Sequence, residues 1–204
     1  MGHDRNEGNE SKSKTLIQPI QVLGNDGHNP KQQVIIQPNI GLDSEVRHSV
    51  VEILNKTLSN EVVLTLKTRG AHWNVSGVGF IELHILFDSQ YKQLNDISDE
   101  IAERVRMLGG VAIGSLAEFL KYTQMEEQPG VVPDILRLLA DHETSIRFLR
   151  EDAKLCTDEF EDEGTFELLV SVMRLNEKMA WMLRSYIENE PVHGESQKRE
   201  FKDE

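Results

Sequence analysis

The chain has 204 residues and a formal charge of −13, with 28% charged and 38% hydrophobic residues. That length fits one domain with tails, and the acidity opposes binding to nucleic acid while attracting cations. The single cysteine, Cys156, excludes an internal disulfide and fits a reducing compartment, and no apolar stretch approaches the ~20 residues that span a bilayer.

Residues 1–40 are rich in Gln, Asn, Gly and Pro, show no helical periodicity and carry four acids against four bases. They read as an extended, partly disordered arm. The opening MGHDRNEGNESK lacks the apolar core of a signal peptide, so the expected location is the cytoplasm. A first helix starts at Asp43 or Ser44, either a good N-cap. Its apolar stripe is Val46, Val50, Ile53, Leu54, Leu58, Val62 and Leu66, and it ends around Gly70–Trp73. The loop NVSGVG follows. A second helix runs from Phe80 to Leu108 and stops at Gly109–Gly110. Residues 111–132 form a long connection whose apolar piece SLAEFL suits a minor helix. A third helix begins at Pro133, a favoured first-turn residue, with Ile135, Leu138, Leu139, His142, Ile146, Leu149 and Ala153 on one stripe. The acidic loop DEFEDEG leads to a fourth helix at Thr165–Glu188. Its apolar face is Leu168, Leu169, Val172, Met173, Met179, Trp181, Met182 and Tyr186. Residues 189–204 are a polar tail with five acids and three bases, which leaves about −11 of the charge on 41–188. The expectation is an all-α chain: an antiparallel four-helix bundle over 41–188 with a short extra helix in its long crossover.

On the second helix four residues stand symmetrically. His84 and Glu103 are equidistant from a point between Gln93 and Leu94, and so are Asp88 and Asp99. At ~100° per residue all four fall within roughly 100° of one face. Asp88 and Asp99 are about 16 Å apart along the axis, and His and carboxylate ligands sit only ~2 Å from a metal, so one ion cannot bridge them. Two copies of the helix crossing antiparallel on a two-fold axis place His84 opposite the partner's Glu103, and Asp88 opposite the partner's Asp99. That predicts a homodimer with two identical shared metal sites. A metal centre inside the bundle is not expected. That type needs two Glu-x-x-His motifs on facing helices, whereas this chain has one, Glu45–His48, which lies off the apolar stripe.

The stretch AHWNVSGVGFIELHILFDSQYKQLNDISDEIAERVRMLGG resembles the signature region of the Dps family, ferritin-like proteins from starved cells. The likeness is almost continuous over 71–110 and follows the helix pattern over 43–188. His72, His84, Asp88, Asp99 and Glu103 match that family's ferroxidase ligands in type and spacing. The resemblance implies a ferritin-like fold and a hollow dodecamer built from two-fold dimers. It implies oxidation of Fe(II), usually by hydrogen peroxide in preference to dioxygen, and storage of ferric mineral inside, which protects against oxidative stress. Iron is the implied metal, with zinc as a competitor for the same donors. His72, His84 and Asp88 would form one side of each site and the partner's Glu103 the strongest anionic ligand opposite, with Asp99 bridging or orienting. Trp73 could quench an oxidising equivalent beside the site or be buried.

Plainer readings hold elsewhere. His142 reads as a core or interface histidine and Cys156 as a small buried apolar residue. Glu45, His48 and Glu52, with Asp26 or His28, could form an accessory metal site, but a solvated face beside the arm is preferred. Asp141, Glu143, Glu151 and Asp152 could line an entry pore and are not assigned. The neutral arm and acidic tail offer little counterion release, so strong DNA binding is not expected.

Overall fold

The computed structural model describes residues 38–188, which form five helices. These are α1 (Ser44–Asn74), α2 (Phe80–Met107), α3 (Leu116–Tyr122), α4 (Ile135–Asp158) and α5 (Glu163–Glu188). No strand occurs among the described residues. The expected accessory-site residues Asp26 and His28 lie outside them.

Tertiary hydrogen bonds fix the topology. Arg47 at the start of α1 donates to the carbonyl of Leu108 just past α2, and His72 at the end of α1 bonds the carbonyl of His84, so α1 and α2 are antiparallel. Gln90 of α2 reaches Met179 of α5 and Arg104 reaches Thr165, which makes that pair antiparallel too. Likewise α1 opposes α4 through Glu61–Ser145 and Lys67–Asp141. Helices α2 and α4 therefore run parallel, and the chain must traverse the bundle's length between them. The long crossover exists for that reason. It carries α3, closed by a capping box between Ser115 and Glu118. It is pinned to α1 where the Asn60 side chain accepts from the Gln124 amide and the Thr123 hydroxyl.

The core is built from one stripe per helix, including Leu54, Ile101, Leu149 and Leu169, all at most 2% exposed. Three details differ from the sequence reading. Helix α4 starts two residues after Pro133, because Asp134 takes the cap position and accepts from the Arg137 amide at 2.8 Å. Leu66 and Trp181 are 44% and 57% exposed. On α1, burial shifts past Leu58 to Glu61, Leu64, Thr65 and Thr68, because this helix packs against α2, α3 and α4 on different sides.

At the centre of the bundle lies a polar network. Glu61 accepts from the Ser145 hydroxyl at 2.7 Å and from the Asn176 amide at 3.2 Å to both oxygens. Asn176 in turn accepts from the His142 ring Nδ1 at 2.7 Å. All four residues are at most 1% exposed. Among the described residues no cation bonds Glu61, and burial pushes its carboxyl up from 4.5 to about 7. Burial pushes His142 down to about 4, so its imidazole is neutral and Nδ1 is the donor.

The Glu61 shift has a definite sign. Below pH 4.5 both folded and unfolded chains hold the Glu61 proton. As pH rises the unfolded chain releases it first, so stability falls between about 4.5 and 7, by roughly 3 kcal/mol in all. His142 works oppositely, losing stability as pH falls from 6.5 towards 4. Glu61→Gln should remove the loss at high pH. Relative to wild type, the variant should gain stability in denaturant unfolding on going from about pH 5 to about pH 8. Parallel pH profiles for the two proteins would contradict the assignment.

Candidate metal centre

The five-residue turn between α1 and α2 brings two histidines together. Gly79, with φ of 77°, caps the start of α2 in a left-handed conformation, and a Cβ there would overlap the Tyr186 hydroxyl. The tight return places the second turn of α2 against the last turn of α1. His72 and His84 then stack with ring centroids 3.9 Å apart. His72 Nδ1 lies 2.8 Å from the carbonyl of His84, and His84 Nδ1 lies 3.0 Å from the carbonyl of His72. A carbonyl only accepts, so each ring carries its proton on Nδ1. In the neutral ring this tautomer has its lone pair on Nε2, the form in which imidazole ligates a metal.

One turn further on, Asp88 points its carboxylate to the same end of α2. Its Oδ1 accepts from the Tyr91 hydroxyl at 2.8 Å and its Oδ2 from the Lys92 ammonium at 2.6 Å. These bonds, Lys92 first and Tyr91 second, hold the carboxyl below the usual range. The Tyr91 ring tilts on His72 at 5.4 Å, with the Arg69 guanidinium 4.8 Å from its centroid. His72, His84 and Asp88 are all half-buried.

Asp99 and Glu103 are exposed on the same helix, about 16 and 22 Å from Asp88 along the axis. Asp99 lines a shallow open groove with Asn95, Asp96 and Glu100 of α2 and Phe119 of α3. One chain thus joins His72 to His84, sets Asp88 one turn further along α2, and keeps Asp99 and Glu103 apart from them. Among the described residues, no three His, Cys, Asp or Glu side chains of one chain converge to hold a metal. Two neutral imidazoles and a carboxylate suit borderline divalent ions such as Fe(II), and zinc equally.

The surroundings settle several plainer readings. Trp73 is 71% exposed, so it is not buried within the chain. Val78, Ile81 and Ile85, close to it in sequence, are exposed as well. Glu45, His48 and Glu52 form a solvated face, His48 and Glu52 pairing at 3.5 Å. Cys156 is buried, and His142 is a core residue. Tyr91 and Lys92 were not singled out from the sequence. Their positions three and four residues after Asp88 were the available signal.

Helix order, core and donor set together define a ferritin-like bundle protein. A family model for the ferritin-like domain matches residues 51–191. The chain is 43% identical over 158 residues to a low temperature-induced protein of Nostoc sp., covering 76% of this chain and 88% of that one. It is 33% identical over 150 residues to the DNA protection during starvation protein of Agrobacterium fabrum, covering 72% and 93%. The fold matches the crystal structure of the Dps protein from Vibrio cholerae O1 with a TM-score of 0.69 at 32% identity, covering 74% of this chain and 96% of that one. That protein is described as a member of a broad superfamily of ferritin-like diiron-carboxylate proteins. The chain belongs to the Dps family of ferritin-like proteins. Membership points to iron as the metal handled, and to storage and oxidative protection as the general role. No helix among the described residues is long and apolar enough to cross a membrane.

The histidine clasp predicts its own energetics. His72→Ala and His84→Ala should each destabilise the protein by about 1 kcal/mol through one lost hydrogen bond. The double variant should fall short of the sum by about 0.5 kcal/mol or more, because both singles also lose the same ring stack. Strict additivity in denaturant unfolding would show that the rings do not act as a pair.

Proposed function

We propose that this chain is a ferroxidase and iron-storage subunit whose metal sites are completed across a two-fold axis. The observation that carries the reading is the reciprocal His72–His84 pair, which leaves two Nε2 lone pairs beside Asp88. On this reading the partner's Glu103 is the anionic ligand opposite, and the partner's Asp99 bridges or orients. The placement of Asp88 and Asp99, and of His84 and Glu103, about one midpoint of α2 supports the two-fold geometry. The exposure of Trp73, Val78, Ile81 and Ile85, on the segments that carry His72 and His84, supports burial against a second copy.

In the proposed reaction two Fe(II) ions, as substrate, each give one electron to hydrogen peroxide. Its O–O bond breaks without releasing hydroxyl radical, and dioxygen can serve as the slower oxidant. Carboxylates stabilise Fe(III) more than Fe(II) and so favour the oxidised state at the site. The chain's own groups orient the ligands: the two carbonyls hold both rings in the ligating tautomer. Ferric mineral collects in a dodecameric shell built from the dimers, in the cytoplasm, where it limits oxidative damage. We assign residues 41–188 to the shell-forming bundle, 1–40 to an N-terminal arm and 189–204 to a polar tail.

Anaerobic Fe(II) followed by peroxide, then size exclusion with iron and protein detected together, tests this directly. Many ferric ions per subunit should co-elute with a large shell. Asp88→Asn and His84→Ala should slow Fe(II) oxidation at least about tenfold. Iron precipitating apart from a small oligomer would overturn the proposal, and tight zinc binding without Fe(II) oxidation would favour a zinc-holding cage.

Relatives bear the name DNA protection during starvation protein, but the charge of this chain opposes a DNA role. The arm is neutral, the tail acidic and the whole chain −13. No retardation of duplex DNA is expected in a gel shift at about 0.15 M salt. A robust shift there would contradict the electrostatic argument.

A further inference from the structure

We propose that Lys92 is a tethered counter-ion of the metal centre: its ammonium holds Asp88 in place of a metal, leaves when a divalent cation enters, and so sets how tightly the centre binds its ion. The inference rests on the ligand assignment above, since it matters only if Asp88 ligates the metal.

Both oxygens of Asp88 are engaged, Oδ1 by Tyr91 and Oδ2 by Lys92. A metal ligated by Oδ2 would sit ~2 Å from that oxygen, within a few ångströms of an ammonium bonded to it at 2.6 Å. The two cations repel at that separation even in water. The carboxylate cannot serve both well, and the ammonium is the mobile party. The Lys92 side chain is 62% exposed on a flexible stem, against 34% for Asp88. An exposed pair of this kind, four residues apart, adds little to helix stability. Its consequence lies in what an entering metal must displace. The failure of His72, His84 and Asp88 to converge in one chain agrees with a carboxylate drawn towards Lys92 and Tyr91.

The displaced ammonium has a destination. Lys92 lies next to the midpoint of α2, so a two-fold copy would set the partner's Asn95 opposite it and the partner's Asp96 beside that. Loading then exchanges one positive charge for two at Asp88 rather than adding two.

Titration calorimetry of the assembled protein with Co(II), a redox-stable probe for nitrogen and oxygen ligands, decides the matter. Lys92→Met, which keeps the stem and removes the charge, should bind Co(II) about tenfold more tightly than wild type. Lys92→Arg should stay within about twofold of wild type. Equal or weaker binding by Lys92→Met, with a wild-type centre that binds Co(II) and loses it on Asp88→Asn, would overturn this inference alone. Absence of Co(II) binding by wild type, or binding indifferent to Asp88→Asn, would overturn the ligand assignment and this inference with it.

Discussion

Two side chains that each bond the other's main chain hold the α1–α2 turn, and the rest of the proposed site depends on that contact. His72 and His84 are twelve residues apart in sequence and stacked in space. One accepting carbonyl, that of His84, lies inside α2, and the other lies at a helix end. The carbonyl of His72 lies in the last turn of α1, among the four that an α-helix leaves without a backbone donor. The same bonds therefore finish a helix end, fix the angle between two long helices and set both tautomers. Asp88, one turn beyond His84, inherits its position from that alignment. A change at Gly79 would propagate to all three residues, because its left-handed backbone and the Tyr186 hydroxyl leave no room for a Cβ.

The polar network at the centre of the bundle shows why metal chemistry is not found there. Ferritin-like bundles that hold metals internally project several carboxylates and two histidines into that space. Here α1 contributes Glu61, but α4 contributes Ser145 and a histidine whose Nδ1 is committed to Asn176. The remaining donors to Glu61 are neutral, and the carboxyl is pushed up to about 7. His142 Nε2 and Gln90 Oε1 have no hydrogen-bond partner, and both are acceptors closed off from solvent. Among the described residues the interior thus holds one carboxyl with neutral donors and no anionic cage. The anionic groups are displaced to the outer face of α2, where Asp88, Asp96, Asp99, Glu100 and Glu103 cluster.

Much of this was legible from residue spacing, and the failures have physical causes. Helix limits followed from caps and glycines to within about two residues. Pro133 misled because Asp134, a better cap with a side-chain oxygen for the Arg137 amide, follows it. Leu66 and Trp181 were placed inward by periodicity, which sees hydrophobicity but not which side a neighbouring helix occupies. Glu61 was invisible for the converse reason: a lone glutamate in a helix reads as solvated until Ser145 and Asn176 arrive from helices 84 and 115 residues away in sequence. The resemblance brought His72 to its place beside His84. No periodicity could have supplied the reciprocal carbonyl bonds, because they depend on a left-handed glycine in the turn. Asp99 and Glu103 enter the proposal through spacing symmetry and the family resemblance, and one chain leaves them facing solvent.

On the proposed assignment, dividing the ligands between two copies has a physical rationale. A centre assembled within one bundle would bury its carboxylates before any metal arrived, and Glu61 illustrates the result, a carboxyl driven towards its neutral form. Splitting the set leaves Asp88, Asp99 and Glu103 at least partly hydrated in the free chain. Asp88 is then paired with Lys92, and Asp99 and Glu103 stay exposed. Desolvation would fall due only when two copies meet, at the moment when a divalent cation can offset it. On the same proposal, the exposed Trp73, Val78, Ile81 and Ile85 supply apolar surface for the association. Carboxylates facing carboxylates across a two-fold axis repel, so association needs a driving force from surface that carries no charge.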